Sequence, residues 1–206
     1  MILGAREIVS KLRGEGGDSN DPFFVAPAPD LTKIENEGGA SLDLRLGTWF
    51  VTTKLSRHTH LDIHSKNQPH ELDITTRHYV PFGHRFILHP RSFVLATTLE
   101  WIRMPRTLGG YVTGKSSWGR RGLVIETAPG VHPGFAGCLT LELANVGELP
   151  IVLMPGTTIC QLFLHEIKGP SDTTASSFLG FRQPLLGQIK PDEFVSRLVQ
   201  KGSLFD

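Results

Sequence analysis

The feature that most restricts the fold is a series of short apolar runs between Ala40 and Ile167. The runs are rich in β-branched and aromatic residues, several alternate apolar with polar positions, and Gly or Pro separates them. They read SLDLRLG, WFVTT, RFILHP, SFVLATTLEWI, GGYVTG, GLVIET, CLTLELANV, LPIVLMP and TICQLFLHEI. A strand that alternates in this way buries one face and exposes the other. The pattern predicts a mainly β fold, either a sandwich or a barrel.

The two ends of the chain depart from this pattern. Residues 4–13 carry apolar side chains at helical spacing, which predicts a short N-terminal helix that ends at Gly14. Residues 14–40 are rich in Gly, Pro, Asp and Asn and are interpreted as an irregular connector. In the C-terminal tail, Pro191 precedes a second helical pattern, which predicts a short helix that packs on the body or on a neighbour. The apolar residues of this pattern are Phe194, Leu198 and Val199.

We therefore expect one β domain over residues 1–168, with residues 169–206 as a tail or lid rather than an independent domain. The chain has 21 basic and 20 acidic residues, and this balance argues against a nucleic-acid-binding surface. Cys138 and Cys160 both lie in apolar runs, so we expect buried, reduced thiols in a cytoplasmic protein, with a disulfide as the less favoured alternative. The sequence contains neither a signal-peptide core nor a run long enough to span a membrane.

Two motifs in the sequence suggest other functions, and the motif of zinc-dependent deaminases is absent. GGYVTGKS, residues 109–116, fits the phosphate-loop pattern, but strand-like residues rather than a long helix follow it closely. The alternating HTHLDIH could present imidazole and carboxylate ligands to a metal ion, or could be a solvated polar face. Its polar residues are His58, His60, Asp62 and His64. The H-x-E and P-C-x-x-C elements of zinc-dependent deaminases are absent, so any deamination here would proceed without zinc.

Two segments remain as candidates for chemistry. Lys115, Ser116, Ser117 and Arg120 lie in a Gly-rich bend that could direct hydroxyls and a guanidinium at an anion, or could be an ordinary polar turn. In CLTLELANV, Glu142 falls on the face opposite three leucines. It is either an outward strand residue or a pocketed carboxylate that can carry a proton.

Most of residues 1–168 resembles dCTP deaminases of the dUTPase superfamily, and residues 113–164 are the most informative stretch. The resemblance rests on SSWGR, GL, TA, PGF, TLEL, LP, PG and ICQL in the family's order, with MILGAREI, ASLDLRLG and HPRSFVLATTLEWIRMP before them. It implies a distorted jelly-roll or dUTPase-like barrel. It also implies a homotrimer with sites at the subunit interfaces, where the triphosphate binds with Mg²⁺.

The resemblance also implies roles for individual residues. Glu142 corresponds to the catalytic glutamate, Ser116 to the serine that holds the attacking water, and Arg120 to the arginine that contacts phosphate and supports the site. Ala128 corresponds to a residue whose backbone lies near the base and the water. The further nucleotide-binding positions are Lys115, Ser117, Thr140 and Leu141.

Two departures accompany the resemblance. His132 stands where relatives typically have Asp before Pro-Gly-Phe, which affects sugar recognition and counts against a second, diphosphatase activity. The tail SSFLGFRQPLLGQ lacks the lysine expected of the lid, and Phe178, Arg182 and Gln183 are its candidate substitutes.

We expect zinc-independent hydrolysis of dCTP to dUTP and ammonia. The first alternatives are a bifunctional enzyme that releases dUMP and a diphosphatase acting on dUTP. An alternative of another class is a non-catalytic, nucleotide-binding regulatory trimer.

Overall fold

The computed structural model describes residues 1–15, 20–54, 56–58, 60, 69–126, 130–169, 180–187, 195 and 197. Its elements, in chain order, are α1 Ala5–Leu12, β1 Phe24–Ala26, α2 Leu31–Glu37, β2 Leu42–Thr53, α3 Glu71–Ile74, β3 Thr75–Tyr79, β4 Phe86–Leu88, β5 Phe93–Arg103, β6 Leu108–Gly114, α4 Ser116–Gly119, β7 Leu123–Glu126, β8 Gly130–Val131, β9 Ala136–Asn145, β10 Ile151–Leu153 and β11 Thr158–Glu166. The prediction of a mainly β fold with a short N-terminal helix is confirmed. Within the described residues, every helix is too short or too polar to span a membrane.

Most strands belong to one nine-stranded sheet. Its order is β7-β9-β5-β2-β11-β6-β8, with β1 added to β5 and β3 to β2, while β4 and β10 form a separate pair. By backbone contacts the chain divides into two compact units, one of Met1–Thr52 with Arg77–Leu185 and the other of Thr53–Thr76 with Leu186–Asp206. Within the second unit, the Lys54 ammonium donates to the Leu72 carbonyl at 2.8 Å. The described candidate residues of the nucleotide site lie in the first unit, whereas His58 and His60 of the HTHLDIH motif lie in the second.

Strand β2 joins the two halves of the large sheet. Its first residues, Leu42–Arg45, pair with β11, and from Leu46 onward it pairs with β5. The change of partner coincides with a register shift at Gly47. A Cβ at Gly47 would lie 2.9 Å from Thr97 Oγ1 and 3.0 Å from the Thr97 carbonyl oxygen, so only glycine fits this crossing.

The core lies on the inner faces of these strands. Along β9, every second residue is buried and the residues between are partly exposed. This is the alternation predicted from CLTLELANV, and Leu141 and Leu143 are fully buried on the inner face. Each such side chain contributes about 2 kcal/mol of transfer free energy, so the register of β9 is strongly fixed.

The N-terminal region is more regular than predicted. Helix α1 forms as predicted, with Ile8 and Val9 buried. The connector interpretation of residues 14–40 is wrong for two short segments, since β1 pairs with the end of β5 and α2 is a two-turn helix. Local capping explains α2, because Asp30 accepts from the Lys33 backbone N–H and Gly38 ends the helix in the left-handed conformation. The predicted tail helix with Phe194, Leu198 and Val199 lies outside the described residues.

One end of β9 is held by a buried asparagine. Asn145 Nδ2 donates to the carbonyls of Leu88 and Leu149, both at 2.9 Å, and its Oδ1 accepts from Gly147 N–H at 3.0 Å. Beside it, Gly122 has φ of +88° and a Cβ there would lie 2.7 Å from Gly147 N. Close backbone packing therefore fixes where the chain leaves α4 and enters β7.

Replacing Asn145 with alanine should lower the free energy of unfolding by about 3 kcal/mol. The substitution removes the partners of three backbone groups at a buried position. Urea unfolding followed by circular dichroism measures the change. Asn36→Ala, at an exposed position of α2, is the matched control and should change stability by under about 0.5 kcal/mol. Equal effects of the two variants would contradict the structural role of Asn145.

Candidate active site

The Lys115–Arg120 turn presents its polar side chains to solvent. Strand β6 leads into the single turn of α4, and β7 follows, so the long helix of a phosphate loop is absent from this described segment. Ser116, Ser117 and Arg120 are exposed. The turn is fastened to β11, because the Lys115 N–H donates to the Ile159 carbonyl and Trp118 Nε1 donates to the Thr158 carbonyl. The structure thus groups the predicted anion-binding residues on one anchored turn.

Lys115 differs from its neighbours because its charge is already paired. Its Nζ lies 2.7 and 2.8 Å from the two carboxylate oxygens of Asp43 on β2. Gln161 on β11 also donates to Asp43, at 3.3 Å. The sequence analysis did not identify Asp43 or Gln161, although the alternation in SLDLRLG places Asp43 on the outward face of its strand. Only the register of β2, β11 and β6 brings these three residues together.

Glu142 lies on the outward face of β9, in the middle of the strand. It is partly buried, as are Thr140 and Cys138 on the same face. On the neighbouring strand β5, the residue directly opposite Glu142 is Leu95, whose side chain is 6% exposed. On the other neighbouring strand, β7, the residue in register with Glu142 is Glu126. Glu142 is therefore flanked by an apolar position on β5 and an acidic position on β7.

Strand geometry separates the contributions of Thr140 and Leu141. The Cys138 N–H donates to the Phe181 carbonyl, away from β5, so the backbone groups of Thr140, two residues later, point to that same edge. Leu141 has the opposite orientation, with its side chain buried and its backbone directed toward β5. Thr140 is thus better placed than Leu141 to offer backbone groups to a ligand.

The start of β9 brings together His132 and part of the tail. His132 is exposed in the turn before β9, where its carbonyl accepts from the Phe135 N–H at 3.2 Å. Gly180 and Phe181 bond to the backbone of β9 at residues 136–138. Arg182 is exposed and Gln183 partly buried, both in this returning segment. Arg182 and Gln183 therefore follow directly on a segment that bonds to the strand that carries Glu142.

The candidate residues are distributed along β9 rather than gathered at one point. The segment that follows the Lys115–Arg120 turn reaches the far end, because the Val146 N–H donates to the carbonyl of Gly122, two residues after Arg120. The turn begins elsewhere, since a Cβ on Gly114 would lie 3.2 Å from Cβ of Ile125, which pairs with Leu143. Glu142 precedes Val146 by four residues, about 13 Å at the usual rise of an extended strand. Within one chain, the backbone of Glu142 is thus separated from Gly122, the residue at which the chain leaves the turn for β7.

Some predicted site residues cannot be placed. Ala128 and Phe178 lie outside the described residues, as do Asp62 and His64 of the HTHLDIH motif. Among the residues that are described, no cluster of three or more His, Cys, Asp or Glu side chains could hold a metal ion. The zinc-independent mechanism remains a prediction.

Comparison with known proteins identifies the family. The sequence model of the family described as dCTP deaminase-like matches residues 24–167, which include both the Lys115–Arg120 turn and all of β9. The chain belongs to the dCTP deaminase-like family.

Relatives of this dCTP deaminase-like chain agree on one product. It is 42% identical over 179 residues to "dCTP deaminase, dUMP-forming" of Corynebacterium glutamicum strain R, covering 86% of this chain and 87% of the relative. It is 38% identical over 180 residues to the protein of the same name from Corynebacterium efficiens, covering 86% and 85%. Both names describe deamination with dUMP, rather than dUTP, as the product.

A solved structure matches the fold of this dCTP deaminase-like chain. The 2'-deoxycytidine 5'-triphosphate deaminase of Agrobacterium tumefaciens superposes with a TM-score of 0.57 at 18% identity. The match covers 79% of the present chain and 47% of the solved chain, so this chain spans about half the length of that protein. At this identity the similarity concerns the fold alone.

The two cysteines of the dCTP deaminase-like chain are free thiols in different surroundings. Cys160 is buried and Cys138 is partly buried. Burial raises the pKa of Cys138 to about 11, an increase that Arg182 opposes and Glu100 supports. Burial raises the pKa of Cys160 to about 12, with Glu100 and Asp43 adding to the effect. Both thiols are therefore protonated near neutral pH.

Native Cys138 should react slowly with iodoacetamide at pH 8. A rise in pKa from 9.0 to about 11 lowers the thiolate fraction about a hundredfold at that pH, and only the thiolate attacks. Its labelling rate, followed by mass spectrometry, should rise with pH until about 11. Protein unfolded in urea is the control, and both cysteines should label rapidly there. Equal rates in native and unfolded protein at pH 8 would contradict the raised pKa.

Proposed function

We propose that this chain hydrolyses dCTP to dUMP, ammonia and pyrophosphate, with two water molecules consumed. One water replaces the 4-amino group, and the second cleaves the bond between the α and β phosphates. The dUMP-forming names of relatives about 40% identical to the chain support this product over free dUTP. The proposal revises the sequence-based preference for dUTP.

The observation that carries the proposal is the position of Glu142. A carboxylate in the middle of an apolar strand, partly buried and opposite Leu95, suits a residue that exchanges protons with a bound pyrimidine. Glu142 would accept a proton from water as the water attacks C4, and would then protonate the ring nitrogen or the leaving amine. This general base and general acid chemistry needs no covalent nucleophile.

The exposed turn supplies the second part of the site. Ser116 would orient the attacking water, while Ser117 and the guanidinium of Arg120 would bind phosphate oxygens. The triphosphate would arrive as its Mg²⁺ complex. The Thr140 backbone would bind the pyrimidine edge, and Ala128 would add a backbone group near the base. Because a fixed arrangement of donors is costly to assemble in solution, this positioning would supply much of the rate enhancement.

His132 bears on the second hydrolytic step. It stands at the start of β9, where the resemblance leads us to expect a carboxylate. An imidazole can donate or accept a hydrogen bond, so His132 can bind the sugar or a phosphate-directed water in its neutral form. Formation of dUMP despite this substitution requires that another group, or the imidazole itself, assist the second water.

The reaction products and the Glu142→Gln variant test the proposal together. Wild-type protein with Mg²⁺ and dCTP should release ammonia, dUMP and pyrophosphate in equal amounts. Glu142→Gln keeps the shape of the side chain but loses the proton acceptor, so ammonia release should fall about a thousandfold while nucleotide binding persists. Chromatography, an ammonia assay and calorimetric titration measure these quantities.

Glu148→Gln, in the exposed loop after β9, is the matched control and should leave all rates unchanged. Accumulation of dUTP without pyrophosphate would contradict dUMP formation and would support the monofunctional reaction, in which dCTP gives dUTP and ammonia. Near-normal turnover by Glu142→Gln would remove Glu142 from the proton-transfer role.

We further propose that the active protein is a homotrimer whose sites join Glu142 of one subunit to Ser116 and Arg120 of the next. The resemblance to dCTP deaminases, which implies sites at the subunit interfaces, supports this arrangement. When Glu142→Ala and Arg120→Ala chains exchange at equal concentration, each interface draws its two residues from different chains. About a quarter of the sites then carry both intact groups. Activity should rise from near zero to roughly a quarter of the wild-type value.

Mass measurement on tagged chains establishes that mixed trimers have formed. If mixed trimers stay inactive, the site does not combine these two residues across an interface. Wild-type protein carried through the same exchange is the control for loss of activity during mixing.

A further inference from the structure

The ion pair of Lys115 with Asp43 lies immediately before the serines of the candidate site. Both side chains are about 30% exposed, at 29% and 32%, so water screens this pair less than a fully exposed one. Two contacts, of 2.7 and 2.8 Å, direct the ammonium at the Asp43 carboxylate, and Gln161 donates to Oδ1 of the same carboxylate at 3.3 Å. The charge of Lys115 is thus neutralised before any nucleotide arrives.

The pair is one of three attachments of the turn to the sheet. The Lys115 N–H bonds to Ile159 at 3.1 Å and the Trp118 indole bonds to Thr158 at 3.0 Å, both on β11. The third attachment is to β2, where Lys115 Nζ contacts Asp43. Together they hold both ends of the segment from which Ser116 and Ser117 project.

We propose that Asp43 is a positioning residue, which clamps Lys115 and thereby holds Ser116 and Arg120 where they meet the nucleotide. Lys115 then acts as an anchor of the turn rather than as a phosphate ligand. This inference rests on the proposed function, because it assigns Ser116 and Arg120 to that same site.

The hydrogen-bond donors of Lys115 and Arg120 favour an anchoring role for Lys115 over phosphate binding. The Lys115 ammonium has three N–H donors, and it makes two short contacts to the Asp43 carboxylate. If Lys115 turned toward a phosphate, the Asp43 carboxylate would be left with Gln161 alone. Because Asp43 is partly buried, losing the ammonium would cost more free energy there than at a fully exposed position. Arg120 is exposed and offers five donors, so the turn retains a cation for phosphate without Lys115.

A double-mutant cycle separates an anchor from a phosphate ligand. The variants are Asp43→Asn, Lys115→Met and their combination, with kcat and KM measured for dCTP. For an anchor, each single variant should lower kcat about tenfold, because the water-positioning serine is displaced, and the double variant should be no worse than either. For a phosphate ligand, Lys115→Met should raise KM, whereas Asp43→Asn should leave KM unchanged or lower it by freeing the ammonium. That second result would overturn the proposal.

Hydrogen exchange gives a readout that does not depend on activity. The N–H groups of Trp118 and Gly119 bond to the Lys115 carbonyl at 3.0 and 3.2 Å, so their exchange reports on the order of the turn. In full-length protein without nucleotide, Asp43→Asn should speed exchange in residues 115–122 at least about fivefold. Unchanged exchange and unchanged kinetics would overturn the positioning role. If wild-type protein does not deaminate dCTP, the proposed function is wrong. Faster hydrogen exchange in Asp43→Asn would still support the role of Asp43 in holding Lys115.

Lys33 and Glu37 provide a matched control pair. They form an ion pair of 3.7 Å on α2, with both side chains 62% exposed. Lys33→Met and Glu37→Gln should change neither kcat nor exchange in residues 115–122. Thermal unfolding of every variant identifies global destabilisation. If the fall in kcat of Asp43→Asn matched a general loss of folded protein, the positioning role of Asp43 would be overturned.

Discussion

The pairing of β9 with its neighbours is the constraint on which the candidate site depends. Leu141 and Leu143 fix which face of the strand is buried, and a slip of one residue would turn Glu142 into the core. Strand β5 covers one edge of β9 along most of its length. The other edge is shared by β7 at one end and by Gly180 and Phe181 at the other. The strand therefore sets the order of the functional groups as well as the core.

Close backbone packing transmits this order to the exposed turn. Gly122 lies so close to the Gly147 backbone that it has no room for a side chain, and Asn145 binds three backbone groups beside them. Since Ser116 and Arg120 lie just before Gly122, their position follows from the packing at this end of β9. A site built on a strand and a fastened turn gains precision from the rigidity of its scaffold.

The sequence predicted those features that depend on local periodicity. The alternation in CLTLELANV is sufficient to place Glu142 opposite the leucines, and the helical spacing near Ile8 is sufficient for α1. Helix α2 was missed because capping by Asp30 and Gly38, rather than an apolar face, defines it, and its residues are not buried. The ion pair of Lys115 with Asp43 could not be predicted from spacing, since Asp43 is distant in the chain and only the register of β2, β11 and β6 brings the two together.

In the proposed trimer, the association of chains would have a chemical purpose. A carboxylate that exchanges protons with a base and a guanidinium that binds phosphates must meet the two ends of one extended nucleotide. A single strand spaces such groups but cannot fold them around a ligand, because its outward face is open to solvent. A second chain can close that face while supplying the missing group, and it removes water from the same contacts that it completes. Proton transfer by Glu142 and phosphate binding by Arg120 would then depend on assembly, which restricts the chemistry to the complete protein.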